Sequence, residues 1–312
     1  LYDSTAAIVC LSFALNNKKG QTMNQVTVAA TQMACSNDRK QNINNAENLV
    51  VTASKKGAQI ILLQELFETR YFCQEEKQEY FSLATSLENN PAVKHFANIA
   101  EKLKVVLPIS FFERKNKAFY NTVAVIDADG SVLGTYRKCH IPDGPGYEEK
   151  FYFNPGDTGF KVWPTKFADI GVGICWDQWF PEAARIMALK GADLVFYSTA
   201  IGSEPVDETN DSKDHWQTCM QGHAACNMVP VIASNRIGTE TFGNSHINFY
   251  GSSFITDNKG QVISQASRSD ESVITASFDL EQHRLERAAW GLFRDRRPSQ
   301  YSPLLTNDGR YK

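Results

Sequence analysis

Cys175, Glu65 and Lys138 are the side chains whose types and settings could together carry out nucleophilic catalysis. Cys175 ends the run Gly171-Val172-Gly173-Ile174-Cys175-Trp176-Asp177, and the chain then turns toward a helix entered through Pro181 and Glu182. A thiol at a strand-to-helix turn projects from the carboxyl edge of a sheet, where α/β proteins place their chemistry. A nearby helix N-terminus predicts a stabilised thiolate, and the Trp176 N–H is a candidate oxyanion donor. The plainer reading of such a cysteine is a small apolar core residue. Glu65 directly follows the apolar run Ile60–Leu63. A carboxylate there is costly unless it is partnered or employed, and it suits a general base that later donates the proton back. Lys138, in Tyr136-Arg137-Lys138-Cys139-His140-Ile141-Pro142, is either a solvated edge charge or, in a closed site, an oxyanion donor that lowers the thiol's pKa.

Positioning these groups requires sheet edges, and the pattern supplies them. Val26–Met33 reads as a strand and Arg39–Lys56 as an amphipathic helix with Ile43, Ala46, Leu49, Val50 and Ala53 on one face. Ile60–Leu63 and Ile170–Cys175 read as strands buried on both sides. Helices at Pro91–Lys104, Pro181–Lys190 and His215–Met228 each lead into a strand, at Val105–Phe111, Leu194–Tyr197 and Val231–Asn235. This alternation predicts an α/β layered fold. Tyr120–Leu133 and Tyr250–Ile263 share a strand–turn–strand plan, with Asp127–Gly130 and Asp257–Gly260 as the turns. The echo suggests two similar halves packed face to face. Lacking a Pro-, Gly- or Ser-rich linker, residues 23–312 read as a single domain. Residues 1–22 read as an N-terminal extension, an upstream segment or an expression scar, with a degenerate targeting peptide as the alternative.

Composition narrows the partners. Over 312 residues, 42% are hydrophobic and 21% charged, with a formal net charge of -3. Nothing here calls for nucleic acid or a membrane, and a small-molecule substrate fits best. The seven dispersed cysteines contain no Cys-x-x-Cys pair, which favours reduced thiols in the cytoplasm. His215, Cys219, His223 and Cys226 fall on one helix face. That stripe spans roughly 16 Å, too long for one zinc ion with ligands near 2 Å, so no metal or other cofactor is expected. The patch Arg294, Arg296 and Arg297 reads as ion pairs within the fold or at a subunit interface.

Taken together and in order, Gln64-Glu65, Arg137-Lys138-x-His140-Ile141-Pro142 and Gly173-Ile174-Cys175-Trp176-Asp177 resemble the three motifs of the nitrilase superfamily of carbon–nitrogen hydrolases. The resemblance runs from about Val26 to Tyr301. It implies a four-layer αββα sandwich, a Glu65–Lys138–Cys175 triad, and a second glutamate, Glu149, with Glu148 as the competing choice. It also implies a homo-oligomer, dimer-based and up to an octamer. The stretches His140–Asp157 and Cys175–Glu182 narrow the implied reaction to hydrolysis of N-carbamoylputrescine into putrescine, carbon dioxide and ammonia. Another N-carbamoyl amidase, for a D-amino acid or β-alanine derivative, is the alternative, and a non-catalytic scaffold of the same fold is the reading from a different class. The loop Ser198–Asp207 holds Glu204 and Asp207 and no Arg or Lys. An acidic loop suits a substrate ammonium, for which Glu204 is the candidate, whereas a carboxylate-bearing substrate would require a cation. Tyr147 and Trp176 are candidate linings for the apolar stem.

Overall fold

A computed structural model describes residues 25–207 and 209–310, so the predicted N-terminal extension lies outside the described residues. The first half opens with β1 (Gln25–Gln32), α1 (Arg39–Lys55), β2 (Ile60–Leu62), α2 (Pro91–Leu103), β3 (Leu107–Lys115), β4 (Ala118–Ile126) and β5 (Val132–Arg137). Asp38 caps α1 by accepting from the Lys40 and Gln41 amides. Asn90 caps α2, with Pro91 in its first turn. The second half follows with α3 (Glu149–Tyr152), β6 (Val162–Pro164), β7 (Asp169–Ile174), α4 (Pro181–Leu189), β8 (Leu194–Ser198), α5 (Lys213–Asn227) and β9 (Val231–Ser234). Then come β10 (Ile237–Phe242), β11 (Ser245–Tyr250), β12 (Phe254–Thr256), β13 (Val262–Gln265), β14 (Ser272–Asp279) and α6 (Leu280–Trp290).

The strands β14-β1-β2 and β3-β4-β5 join through the parallel Ile60–Val106 bridge into one sheet. The second sheet runs β13-β12-β9-β8-β7-β6. The two orders correspond: each has an antiparallel edge strand, two parallel βαβ crossovers and a closing antiparallel hairpin. The two-halves reading therefore holds for whole sheets and not only for the hairpins. Both hairpin turns end in a glycine at φ +84°, Gly130 and Gly260, a conformation that disfavours a side chain.

Alternation along β1 explains the layering. Val26, Val28 and Ala30 face an inter-sheet core with Ile60, Val123, Val172 and Ile232. Ala29 faces the other way, with Ile61, Leu107 and Ile126, against Ala46 and Val50 of α1 and Phe96 of α2. The result is the αββα sandwich.

Two sequence expectations shift. Tyr250 belongs to the additional β10–β11 hairpin, so the second turn-bearing hairpin starts at Phe254. Cys175 does not enter an α-helix directly, because a 3-10 turn over Cys175–Trp179 separates it from α4.

Candidate active site

The strands β2 and β5 run the same way in one sheet and β7 and β8 in the other, and Glu65, Lys138, Cys175 and the Thr199–Glu204 loop follow their carboxyl ends. The Glu65 amide donates to the Thr199 carbonyl at 3.2 Å, which ties the mouth of one sheet to that of the other. Glu65 and Lys138 are wholly buried, and Glu149 is 1% exposed.

Lys138 is the hub. Its Nζ lies 2.9 Å from Glu65 Oε1 and 2.7 Å from Glu149 Oε2. The one-turn helix α3 carries Glu149 inward, while its neighbour Glu148 is only half-buried at the helix N-cap. This selects Glu149 as the partner of Lys138. Two residues that the motifs did not single out complete the cluster. Asn121 Nδ2 donates to Glu65 Oε1 at 2.7 Å, and Tyr71 OH donates to Glu149 Oε1 at 2.6 Å. The other Glu65 oxygen, Oε2, is buried and takes no hydrogen bond among the described residues. That leaves one carboxylate oxygen able to accept a proton.

Cys175 is buried, at φ +39°, and its Sγ approaches the Ala200 carbonyl at 3.8 Å. A left-handed cysteine is a strained turn residue that neighbouring contacts must hold. Asp177 holds this one: its Oδ2 accepts from the Ile174 amide at 3.0 Å and from Tyr136 OH at 2.7 Å. Its Oδ1 accepts from the His140 amide at 3.0 Å and from His140 Nδ1 at 2.8 Å. Asp177 thus locks the nucleophile turn to the strand end that carries Lys138. On β7, Gly173 permits close approach, since a Cβ there would meet the Tyr197 ring at 2.6 Å.

The electrostatics correct one expectation. Burial pushes the Cys175 thiol well above its ordinary range, Glu65 and Glu149 push it further, and Lys138 only opposes them. Both effects disfavour, in the free site, the thiolate that the sequence setting suggested. Burial beside Glu65 pushes Glu149 up to about 7, again with Lys138 opposing. For Lys138 itself the two carboxylates outweigh burial and hold the ammonium well above its usual range.

Of the residues proposed to line the substrate stem, Tyr147 packs beside the cluster, whereas the Trp176 ring turns toward Trp179. Tyr147 packs its ring against Tyr71, and its hydroxyl joins the Gly202 amide and the Ser203 carbonyl, each at 3.2 Å. Trp176 is 40% exposed and meets Trp179 edge-on. Glu204 is half-buried, which raises its carboxyl, and its charge is felt by Tyr147 and Tyr250, both of which also feel Cys175. The His/Cys stripe of α5 is used in packing: His223 Nε2 meets the Gln178 carbonyl at 2.7 Å, and Cys219 Sγ lies 3.5 Å from the same oxygen. A cleft of about 360 Å³ opens elsewhere, between α4 and α6, and contains none of the residues around Cys175.

This fold is that of a carbon–nitrogen hydrolase. Residues 27–287 match the carbon-nitrogen hydrolase family, and the chain belongs to it. It is 58% identical to an N-carbamoylputrescine amidase of Solanum tuberosum, over 91% of this chain and 96% of that protein. It is 53% identical to a citrullinase of Francisella tularensis, over 91% of this chain and 99% of that one. Among solved structures, a carbon-nitrogen hydrolase from Helicobacter pylori G27 superposes with a TM-score of 0.85 at 39% identity, covering 91% of this chain and 99% of its own.

Proposed function

We propose that this protein hydrolyses N-carbamoylputrescine to putrescine, carbon dioxide and ammonia, with Cys175 as nucleophile. One observation carries the chemistry: Lys138 Nζ is held between Glu65 and Glu149 at 2.9 and 2.7 Å, in the electrostatic field that Cys175 feels. The high thiol pKa requires that the proton leave during attack. Glu65 Oε2 takes it as the sulfur bonds to the carbamoyl carbon. The oxyanion of the tetrahedral adduct is stabilised by the Lys138 ammonium and the Trp176 amide, while Glu149 and Tyr71 hold Lys138 in place. Glu65 returns the proton to the departing nitrogen, and the carbon–nitrogen bond breaks. Water, deprotonated by Glu65, adds to the carbonyl carbon of the sulfur-bound intermediate, and the sulfur–carbon bond breaks as Glu65 returns that proton to the Cys175 sulfur. The carbamate released breaks down to carbon dioxide and the second amine.

Substrate choice rests on the loop after β8. Glu204 stands half-buried beside Tyr147 and Tyr250, a setting that attracts an ammonium at the far end of an apolar stem. The similarity to a citrullinase supports a second reading, because citrulline carries the same carbamoyl group with an added carboxylate. The nearby cation for that carboxylate is Arg268, over the Tyr250 ring and paired with Asp211 at 3.0 Å. N-carbamoylputrescine, citrulline, N-carbamoyl-β-alanine and an N-carbamoyl-D-amino acid should be assayed side by side on wild type and Glu204→Gln. Expected is a preference for N-carbamoylputrescine that falls on the order of 10- to 100-fold in Glu204→Gln, as for a lost charge-assisted contact. A wild-type preference for a carboxylate-bearing substrate sinks the assignment. The exposed Leu285, Trp290 and Leu305 support self-association of the chain, and the dispersed cysteines support a cytoplasmic setting.

A further inference from the structure

Beneath the catalytic cluster lies a second buried ion pair, which none of the motifs includes. Arg236 lies two residues past the end of β9 and is wholly buried. Its Nη2 donates to the carbonyls of Glu65 at 2.7 Å and Leu66 at 3.1 Å. Its Nη1 donates to the Thr69 carbonyl at 3.3 Å and to Glu240 Oε1 at 2.8 Å. The other Glu240 oxygen, Oε2, accepts from the Tyr71 amide at 2.6 Å. Tyr71 OH in turn reaches Glu149, Glu149 reaches Lys138, and Lys138 reaches Glu65. The contacts close into a ring that starts and ends at Glu65.

The turn that Arg236 grips is under strain. Leu66, immediately after the carboxylate, sits at φ +48°, a region that branched side chains avoid. Its amide is held by Ser110 Oγ at 3.0 Å, and its carbonyl by Arg236. Only the planar fork of a guanidinium spans three carbonyls and a carboxylate at once, which a lysine cannot imitate. Burying such a cation is costly, and stability alone would be served as well by an apolar residue. The strained turn and the ring to Lys138 give the cost a purpose. We propose that Arg236, locked by Glu240, is a positioning residue that aims the Glu65 carboxylate at the Cys175 thiol, acting on proton transfer and not on substrate binding. This rests on Glu65 being the general base.

The test compares Arg236→Lys, Arg236→Met, Glu240→Gln and Glu65→Gln by steady-state kinetics with N-carbamoylputrescine over a range of pH, with folding followed by circular dichroism. Arg236→Lys should lower kcat on the order of 100-fold, as expected of a displaced catalytic group, with KM little changed. Arg236→Met should lose more, so that the lysine is a partial rescue. The deficit should narrow as pH rises, because the thiol, lying well above its ordinary pKa, then ionises without help from Glu65. A loss that is uniform with pH, or that falls on KM, overturns the proposal. Should the Arg236 variants fail to fold, Glu240→Gln keeps the shape and carries the test, and a wild-type kcat there overturns it. The premise is checked separately. Turnover surviving in Glu65→Gln means that the base was misassigned, whereas an inactive Glu65→Gln beside a fully active Arg236→Lys defeats the positioning role alone.

Discussion

Replacing Lys138 with methionine removes the single cation that two buried carboxylates share and leaves a side chain of similar length. In the wild type, Nζ donates to Glu65 Oε1 at 2.9 Å and to Glu149 Oε2 at 2.7 Å, with Lys138 wholly buried. Breaking a buried pair by deleting one partner costs ~3–5 kcal/mol, because the surviving charge is left uncompensated. For a chain of this size that corresponds to a melting point lower by on the order of 10 °C. The cost depends on pH, and its sign can be worked out. Without the ammonium that opposes burial, the Glu149 carboxyl is pushed above its wild-type value of about 7 and binds a proton in the folded state that it does not bind in the unfolded state. The folded state then holds more protons, so stability falls as pH rises. The deficit is therefore larger at about pH 8 and shrinks toward about pH 5, where Glu149 is protonated with or without Lys138. Thermal unfolding of wild type and Lys138→Met, followed by circular dichroism at both ends of that range, measures it. An equal deficit at both pH values would refute the reasoning, since lost packing alone has no such dependence.

Other outcomes follow from the same geometry. The Cys175 thiol is held well above its ordinary value of 9.0, so alkylation of the free enzyme by iodoacetamide should keep accelerating into alkaline pH. A plateau at neutral pH would mean a preformed thiolate. Glu149 is pushed up to about 7, so protonating it as pH falls through neutrality should form part of the acid limb of kcat/KM. Glu149→Gln should lower kcat roughly 10- to 100-fold, as loss of a ligand-orienting partner does, and move that limb to lower pH; an unmoved limb assigns it elsewhere. Finally, a Cβ at Gly156 would come within 2.0 Å of the Arg137 carbonyl and 2.8 Å of the Lys138 carbonyl, while at Gly144 it meets nothing within 4 Å. Gly156→Ala should therefore cost activity on the order of 100-fold by displacing Lys138, and Gly144→Ala should not, which kinetics on the pair will decide.

Much of the frame was legible because it rests on local signals. The apolar face of α1, the doubly buried β2 and the Asp-x-x-Gly turns at Gly130 and Gly260 are each written within one element. The β10–β11 hairpin was not. Its strand β10 has adjacent exposed residues at Gly238 and Thr239 and buries a glutamate, Glu240, so it lacks a regular apolar alternation, although β11 alternates, with Ile247 and Phe249 buried and His246 and Asn248 exposed. Helix α6 buries only Leu280, so it has no apolar face to find. The site divides the same way. Glu65, Lys138 and Cys175 sit at strand ends that the pattern locates, and Asp177 and His140 lay inside the quoted motifs, where a buried carboxylate two residues after the thiol was the available signal. Tyr71 meets Glu149 across 78 residues, Asn121 meets Glu65 across 56, and Arg236 meets Glu65 across 171. No local pattern records such a pairing. It exists only once two sheets bring their carboxyl ends together.

Burial first, and then the balance of buried charge, explain why the Cys175 thiol is pushed up although a lysine stands beside it. Glu65, Glu149 and Glu240 face Lys138 and Arg236, so the carboxylates outnumber the cations by one. In a low-dielectric interior the excess is relieved by a proton, and the upward push on Glu149 shows where part of that tendency falls. A thiolate at Cys175 would add a further anion to a set already in excess, which is why Glu65 raises the thiol and Lys138 cannot bring it back. Lys138 is already engaged by two carboxylates, so its charge is spent on holding them and is turned to the substrate only when an oxyanion forms nearby. In the proposed mechanism nucleophile activation therefore falls to Glu65, whose buried oxygen Oε2 takes no hydrogen bond among the described residues. On the proposed mechanism, a thiol that keeps its proton until attack hands it to Glu65 at that moment, and Glu65 then holds the proton that the departing nitrogen needs.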